Sequence, residues 1–411
     1  MAATHLPLDI VETIIDLLAA EVDDSYYLLA DYTHLKACSL ASKIFLSITR
    51  RHIYSTLTFL SFPHPGAHRD HLPKAFNSLL DRTPDIASCV RTLSYSILES
   101  DFIDGEVQRL LGRLPLLRVF NLLHAGGSHN KWAWNAIPRD HLSILYGIMQ
   151  LPTLTSLGLT AFTKFPASIL ASMAHLENFY MDQMEFGPVE TLSSTQSTSH
   201  IISRLRSLDV GGGNAASMTA LLFEAQGFRP AFDIRGLRDL CSHLECDADV
   251  KNINKVLTAA SETLTSLEIE EITYPLCGLR LHVLQNLQSL AFELDMYDRF
   301  EDSLHGLADL LTLEKAPFPH LKSITLHINL LIDGPFEECF DSWRTLDRAL
   351  SGKRFPLLGT ITLVVKIFSQ LVTRRCPERE TILRLQASHF PLLSSTEAKT
   401  TFNFSVLVDY F

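Results

Sequence analysis

One pattern constrains this 411-residue chain more than any other feature: apolar-x-x-apolar-x-apolar, repeated ten times. It begins at Val90 (VRTLSY), Leu117 (LRVFNL), Leu154 (LTSLGL), Leu176 (LENFYM), Leu205 (LRSLDV) and Leu237 (LRDLCS). It continues at Leu264 (LTSLEI), Leu287 (LQSLAF), Leu321 (LKSITL) and Leu358 (LGTITL). The unit at Leu237 is the weakest, because Ser242 takes its last apolar place. Successive starts lie 22 to 37 residues apart, an interval that marks a repeat architecture. The last two apolar positions of each hit are two residues apart, so both point to one face of a short strand. The longer remainder of each unit returns as helix or loop. A unit of this kind cannot bury its apolar face alone, and stacked neighbours supply the core. The expected fold class is therefore α/β.

Composition narrows the class further. Hydrophobic residues make up 46% and charged residues 20% of the chain, which excludes disorder and collagen-like or disulfide-miniprotein classes. Thirty-five basic against 46 acidic residues give a net charge of −11, so no nucleic-acid partner is expected. The start, MAATHLPLDI, has neither a basic n-region nor a long apolar stretch, and no secretion signal is expected. No apolar run approaches the roughly 18 residues that span a bilayer. Seven cysteines are scattered along the chain, and with no sign of secretion they read as reduced, mostly buried thiols. The expectation is an intracellular protein, cytoplasmic or nuclear, with no membrane partner.

Three amphipathic helices are expected within residues 1–60. Ile10, Val11, Ile14, Ile15, Leu17 and Leu18 fall on helical spacing, with Pro7 in or before the first turn, where its missing N–H is harmless. From Thr33, the set Leu35, Cys38, Leu40, Ile44, Phe45, Ile48 and Ile53 is again helical, with a break expected near Ser39. Ser55 to Phe59 alternates and reads as a strand. Residues 61–88 read as a connecting loop and helix, and 89–411 as the repeat region. His64, His68 and His71 read as part of a solvated loop, without metal-ligand spacing.

Leu6-Pro7 followed by Ile10, Ile14 and Leu18, then Leu35-Lys36-Ala37-Cys38-Ser39-Leu40-Ala41-Ser42-Lys43-Ile44-Phe45, resembles an F-box. The tail from Arg50 to Tyr54 is similar to the version found in large fungal F-box families. The resemblance covers about residues 5–55 and departs from the family in its longer acidic spacer and in Ala41. The ten units resemble leucine-rich repeats of irregular length that lack the regular Asn after the strand. Together these resemblances imply a short three-helix F-box module followed by an irregular leucine-rich-repeat solenoid, a horseshoe. They imply a substrate-recognition adaptor that docks a Skp-type adaptor, and through it a cullin–RING ubiquitin ligase, while the repeats hold a protein substrate. The docking candidates are then Leu6, Pro7, Ile10, Ile14, Leu35 and Leu40, some of which must form the module's own core instead. The alternative is a repeat scaffold outside the ubiquitin system.

If strands line an open face, the residues two, four and six after each first apolar residue face solvent there. In the middle units these include Asp182, Asp209, Asp239, Glu268, Glu270 and Glu293, together with Cys241 and His243, and no Lys or Arg. An acidic face focuses field and favours a basic segment of a protein partner. Trp132 and Trp134, in a Gly-rich insert, read as a lid folded back on the repeats or as a partner anchor. Catalytic motifs are missing: there is no phosphate-binding Gly-rich loop with Lys, no nucleophile elbow and no H-E-x-x-H. Gly211-Gly212-Gly213-Asn214 reads as a turn leaving a strand. Cys241, His243 and Cys246 lack a second Cys pair at zinc-finger distance. Neither catalysis, nor a cofactor, nor a metal is expected.

Overall fold

The computed structural model describes residues 7–20, 32–59, 72–103, 105–124, 131–187, 203–212, 214–223, 230–272, 276, 278–296, 300–313, 318–331, 340–351, 355–369, 389–395 and 400–410. The chain forms two compact units. One is Met1–Leu176 with Glu190–Leu192, the other Glu177–Val189 with Ser193–Phe411. The class is mixed α/β: eleven α-helices and a set of twelve parallel strands among the described residues, besides a few two-residue strands.

The first unit opens with helices α1 (Leu8–Ala20), α2 (Thr33–Ala41) and α3 (Lys43–Ile53). Val11, Ile15, Leu35 and Ile48 form their shared core, with Phe45 and Ile53 packed against it. The break between the second and third helices falls at Ser42 rather than near Ser39. Ser42 is extended, and its hydroxyl accepts the Phe45 N–H, which caps α3 by satisfying one of its orphan donors. Strand β1 (Thr56–Phe59) follows, then α4 (Leu72–Arg82), β2 (Thr92–Ile97), α5 (Gly105–Leu111), β3 (Val119–His124), α6 (Arg139–Met149), β4 (Ser156–Thr160) and α7 (Ala167–Ala171). Strands β1 to β4 pair in parallel in chain order.

The second unit carries β5 (Asn178–Asp182), β6 (Ser207–Val210), α8 (Ala215–Leu222), β7 (Asp239–His243), α9 (Asp247–Ala259), β8 (Ser266–Ile272) and β9 (Ser289–Met296). It ends with α10 (Phe300–Leu313), β10 (Ser323–Leu331), α11 (Phe340–Leu350), β11 (Thr360–Ser369) and β12 (Thr401–Tyr410). These eight strands also pair in parallel and in chain order. Neither ladder reverses its strand order, as a doubly wound sheet does.

Each of the ten strands from β2 to β11 starts two residues after the first apolar residue of a sequence unit. Those first residues are all buried, Leu358 being the most exposed at 7%. The next two apolar places point into the core, as Leu267 and Ile269 do in β8. The expected inward face is thus observed strand by strand.

Without a regular Asn, the unit starts are satisfied by the main chain. Two consecutive N–H groups donate to one carbonyl of the preceding unit: Arg118 and Val119 to Arg91, Thr265 and Ser266 to Arg238, Lys322 and Ser323 to Gln288. Thr153, Thr263 and Thr400 add hydroxyl bonds to the carbonyls of Leu117, Leu237 and Leu358. Buried polar backbone demands such partners, and a carbonyl with two lone pairs can serve both donors.

Candidate functional site

The solvent side of β5 to β9 carries the acidic residues. Parallel pairing aligns them across strands: Cys241 sits between Asp209 and Glu268, and His243 stands opposite Glu270. Asp182, Asp209, Glu268, Glu270 and Glu293 all occupy this side, alternating with buried neighbours. Asp239 lies at the start of β7 and is exposed to solvent. Sequence reasoning missed two members, Asp295 and Asn329, because β9 and β10 run beyond the six-residue pattern. Asn329 Nδ2 donates to Glu293 Oε1 at 2.8 Å and to Asp295 Oδ1 at 2.7 Å.

The centre of this face is a compact group. One ligand atom each from Cys241, Glu268 and Glu270 lie within 4.8 Å of one another. His243 Nε2 is 3.0 Å from Glu270 Oε2. The Cys241 thiol donates to the Asp209 carboxylate. Burial pushes the Asp209 carboxyl up to about 6, with the charge of Glu270 as the next cause. Burial also raises the Cys241 thiol, and Asp209 raises it further. Glu268 is raised by burial and then by the charges of Glu270 and Glu293. Glu270 moves the other way, because the His243 hydrogen bond favours its charged form. Like charges are thus crowded on one patch, with the imidazoles of His243 and, opposite Glu293, His327 among them.

Five unit starts are followed directly by a basic residue, Arg91, Arg118, Arg206, Arg238 and Lys322, and several of these are engaged locally at the foot of the strands. Arg91 donates to the Leu116 carbonyl, Arg206 pairs with Glu177 at 3.4 Å, and Lys322 reaches Gln288. Cys246 does not join Cys241. It precedes α9, where its thiol donates to Asp249 Oδ2 at 3.2 Å.

The helical module has a second surface. Ile10, Ile14 and Leu17 make an exposed stripe at i, i+4 and i+7 along α1, and Leu40 is 87% exposed on α2. Pro7 is exposed as well, its carbonyl accepting the N–H groups of Ile10 and Val11. Leu35 is a correction: at 1% exposure it belongs to the module core and offers nothing to a partner. Leu6 lies outside the described residues, as do His64, His68 and His71.

The tryptophan pair takes the first of its two expected arrangements. Trp134 is 2% exposed, its indole N–H donates to Tyr146 Oη at 2.9 Å, and its ring meets Phe162 and Phe165. Trp132 packs on Phe102 and His124. The pair folds back on its own unit, with Trp134 buried and Trp132 half-buried. The four described cysteines, 38, 89, 241 and 246, are free thiols as expected, yet none is fully buried. Gly211 and Gly212 do form a turn after β6, where a Cβ on Gly211 would collide with Asp182. No described helix is long and apolar enough to cross a membrane. Compared with known proteins, the chain matches no family model and no curated protein.

Proposed function

We propose that the chain is a substrate-recognition adaptor of a Skp–cullin–F-box ubiquitin ligase, its N-terminal helices docking a Skp-type adaptor and its repeats, a leucine-rich-repeat solenoid, holding the substrate. The observation that carries the reading is the exposed apolar stripe Ile10, Ile14 and Leu17 on a helix whose adjacent stripe, Val11 and Ile15, already fills a core. A three-helix module that leaves contiguous apolar residues in water has a surface suited to a partner. The acidic strand face of the second unit supports the other half, since it suits a basic segment of a protein substrate. Such an adaptor acts by raising the effective concentration of substrate lysines near a charged ubiquitin enzyme. It contributes no catalytic residue.

The test is capture of a purified Skp-type adaptor by the full chain. Ile10→Asp with Ile14→Asp abolishes capture and leaves the thermal melt of the chain unchanged. Leu35→Ala instead lowers stability by about 2–5 kcal/mol, because it opens a cavity in the module core. A wild-type chain that fails to capture the adaptor, or a double variant that captures it equally well, overturns the docking reading. For the substrate half, Lys in place of Glu268, Glu270 and Glu293 abolishes capture of substrate. Unchanged capture removes the acidic face from recognition.

A further inference from the structure

We infer that Cys241, Glu268 and Glu270 form a zinc site on the solvent face of the second ladder, with Asp209 and His243 as its supporting groups. This goes beyond the adaptor reading and does not depend on it.

The geometry begins in the backbone. Cys241 on β7 is the ladder partner of Glu268 on β8, and Glu270 is the next residue of β8 on the same side. Three donors from two hydrogen-bonded strands are therefore fixed in relation to one another before any side chain moves. Their ligand atoms already lie within 4.8 Å of one another. Donors bound at 2.0–2.3 Å around a tetrahedral ion sit roughly 3.3–3.8 Å apart, so side-chain rotations that draw the donors together close the set.

The donor types select the ion. Calcium and magnesium take sets made of oxygen alone. A thiol beside two carboxylates suits a borderline-soft ion, and zinc binds sulfur and oxygen donors together in tetrahedral sites. Three protein donors leave the fourth place to water or to a donor group of a bound partner. On binding, the Cys241 S–H bond breaks, its proton passes to solvent and the thiolate forms the S–Zn bond. No electron is transferred.

The outer groups fit as well. Asp209 receives the Cys241 thiol, and His243 Nε2 stands 3.0 Å from Glu270 Oε2. Two of the three donors therefore have a partner that fixes their orientation, which is the part outer-shell residues play around metal ions. The neighbouring positions on this face, Asp239, Ser266, Ser289, Ala291 and Glu293, hold no Lys or Arg to compete for the carboxylates.

The experiment uses the full chain, stripped with chelator and exchanged into metal-free buffer, and then titrated with zinc chloride alone and with cobalt chloride alone. One equivalent of zinc binds, and the cobalt form shows a thiolate-to-cobalt charge-transfer band in the near ultraviolet. Cys241→Ser abolishes that band. Cys241→Ser, Glu268→Gln and Glu270→Gln each weaken zinc by about tenfold or more, and His243→Ala weakens it by about 10–100-fold. The absence of stoichiometric zinc binding overturns the inference, and so does a wild-type cobalt form without the band. Wild-type zinc affinity in a Cys241→Ser, Glu270→Gln chain that melts like the wild type also overturns it, because the ion then sits elsewhere, as on His64, His68 and His71. Should Cys241→Ser fail to fold, Glu268→Gln carries the same readout, since its side chain is exposed.

Discussion

The two ladders use one strand pattern and treat polar groups in opposite ways. In the first unit, the strand positions outside the core are uncharged: Ser94, Asn121, Leu123, Ser156 and Thr160. Its titratable chemistry lies in the interior. Tyr95 Oη donates to Asp101 Oδ2 at 2.8 Å and meets His141 Nε2 at 3.2 Å, and all three residues are buried. Asp101 also accepts the Leu98 N–H at 2.9 Å. On the second ladder the core strand positions are apolar apart from Ser242, and carboxylates, a thiol and imidazoles stand on the open side of the strands, while Asp249, Asp347 and His389 are buried away from the strands. A buried hydrogen-bonded network holds one structure together, here with His141 Nδ1 left without a partner. A crowd of like charges at the surface costs stability and is available to a ligand. The contrast separates groups retained for folding from groups free to bind.

That contrast can be broken or sharpened by substitution. The largest effect is expected at Asp101→Ala, which strips Tyr95 Oη and the Leu98 N–H of a charged acceptor and costs about 3 kcal/mol in urea unfolding. A loss under about 0.5 kcal/mol would show that the interior network does not hold the first unit. Asp209→Asn is expected to act with the opposite sign. The folded carboxyl is raised from 3.8 to about 6, so the fold favours its neutral form. Its contribution is whole below pH 3.8 and is lost as pH rises towards 6. At pH 7, in chelator-treated protein, Asp209→Asn therefore stabilises the chain, by up to about 3 kcal/mol, and removes that slope. Equal stability of the two proteins from pH 4 to 8 would refute the crowding.

The third prediction concerns His141, whose folded pKa is lowered by burial, the Asp101 charge opposing this. The unfolded chain takes up the proton first, so stability falls as pH drops through the usual imidazole range near 6.5. His141→Phe abolishes that acid-side slope, read from unfolding midpoints between pH 5 and 8. Asp209 and His141 thus lose stability in opposite pH directions. The smallest effect is at Glu268→Gln, an exposed position, where relief from Glu270 and Glu293 raises stability by a few tenths of a kcal/mol at low salt and by nothing at high salt.

Much of the ladder was legible in the primary sequence. The ten apolar-x-x-apolar-x-apolar units mark ten strand starts, because a two-residue alternation has one way to bury its apolar side. Strand β12 was not legible. TFNFSVLVDY lacks the preceding apolar residue that closes a unit, and only its pairing with β11 makes it a strand of the ladder. In the N-terminal helices, both Leu35 and Leu40 fall on apolar spacing, and periodicity does not separate them. The packing of α2 against its neighbours does, burying one and leaving the other in water. The same holds for Trp134, whose fate rests on Tyr146 and Phe165, far enough along the chain that no local pattern links them.

The acidic face divides in the same way. Alternation alone places Asp209, Cys241, His243, Glu268 and Glu270 on solvent-facing positions of their strands. Which of them meet is a matter of register between units separated by unequal intervals, and register is set by hydrogen bonds between strands. Sequence therefore determined the direction of each side chain, through the two-residue geometry of a strand. Only the tertiary structure decided that Cys241 lies between Asp209 and Glu268, because pairing is a relation between segments that chain distance does not encode.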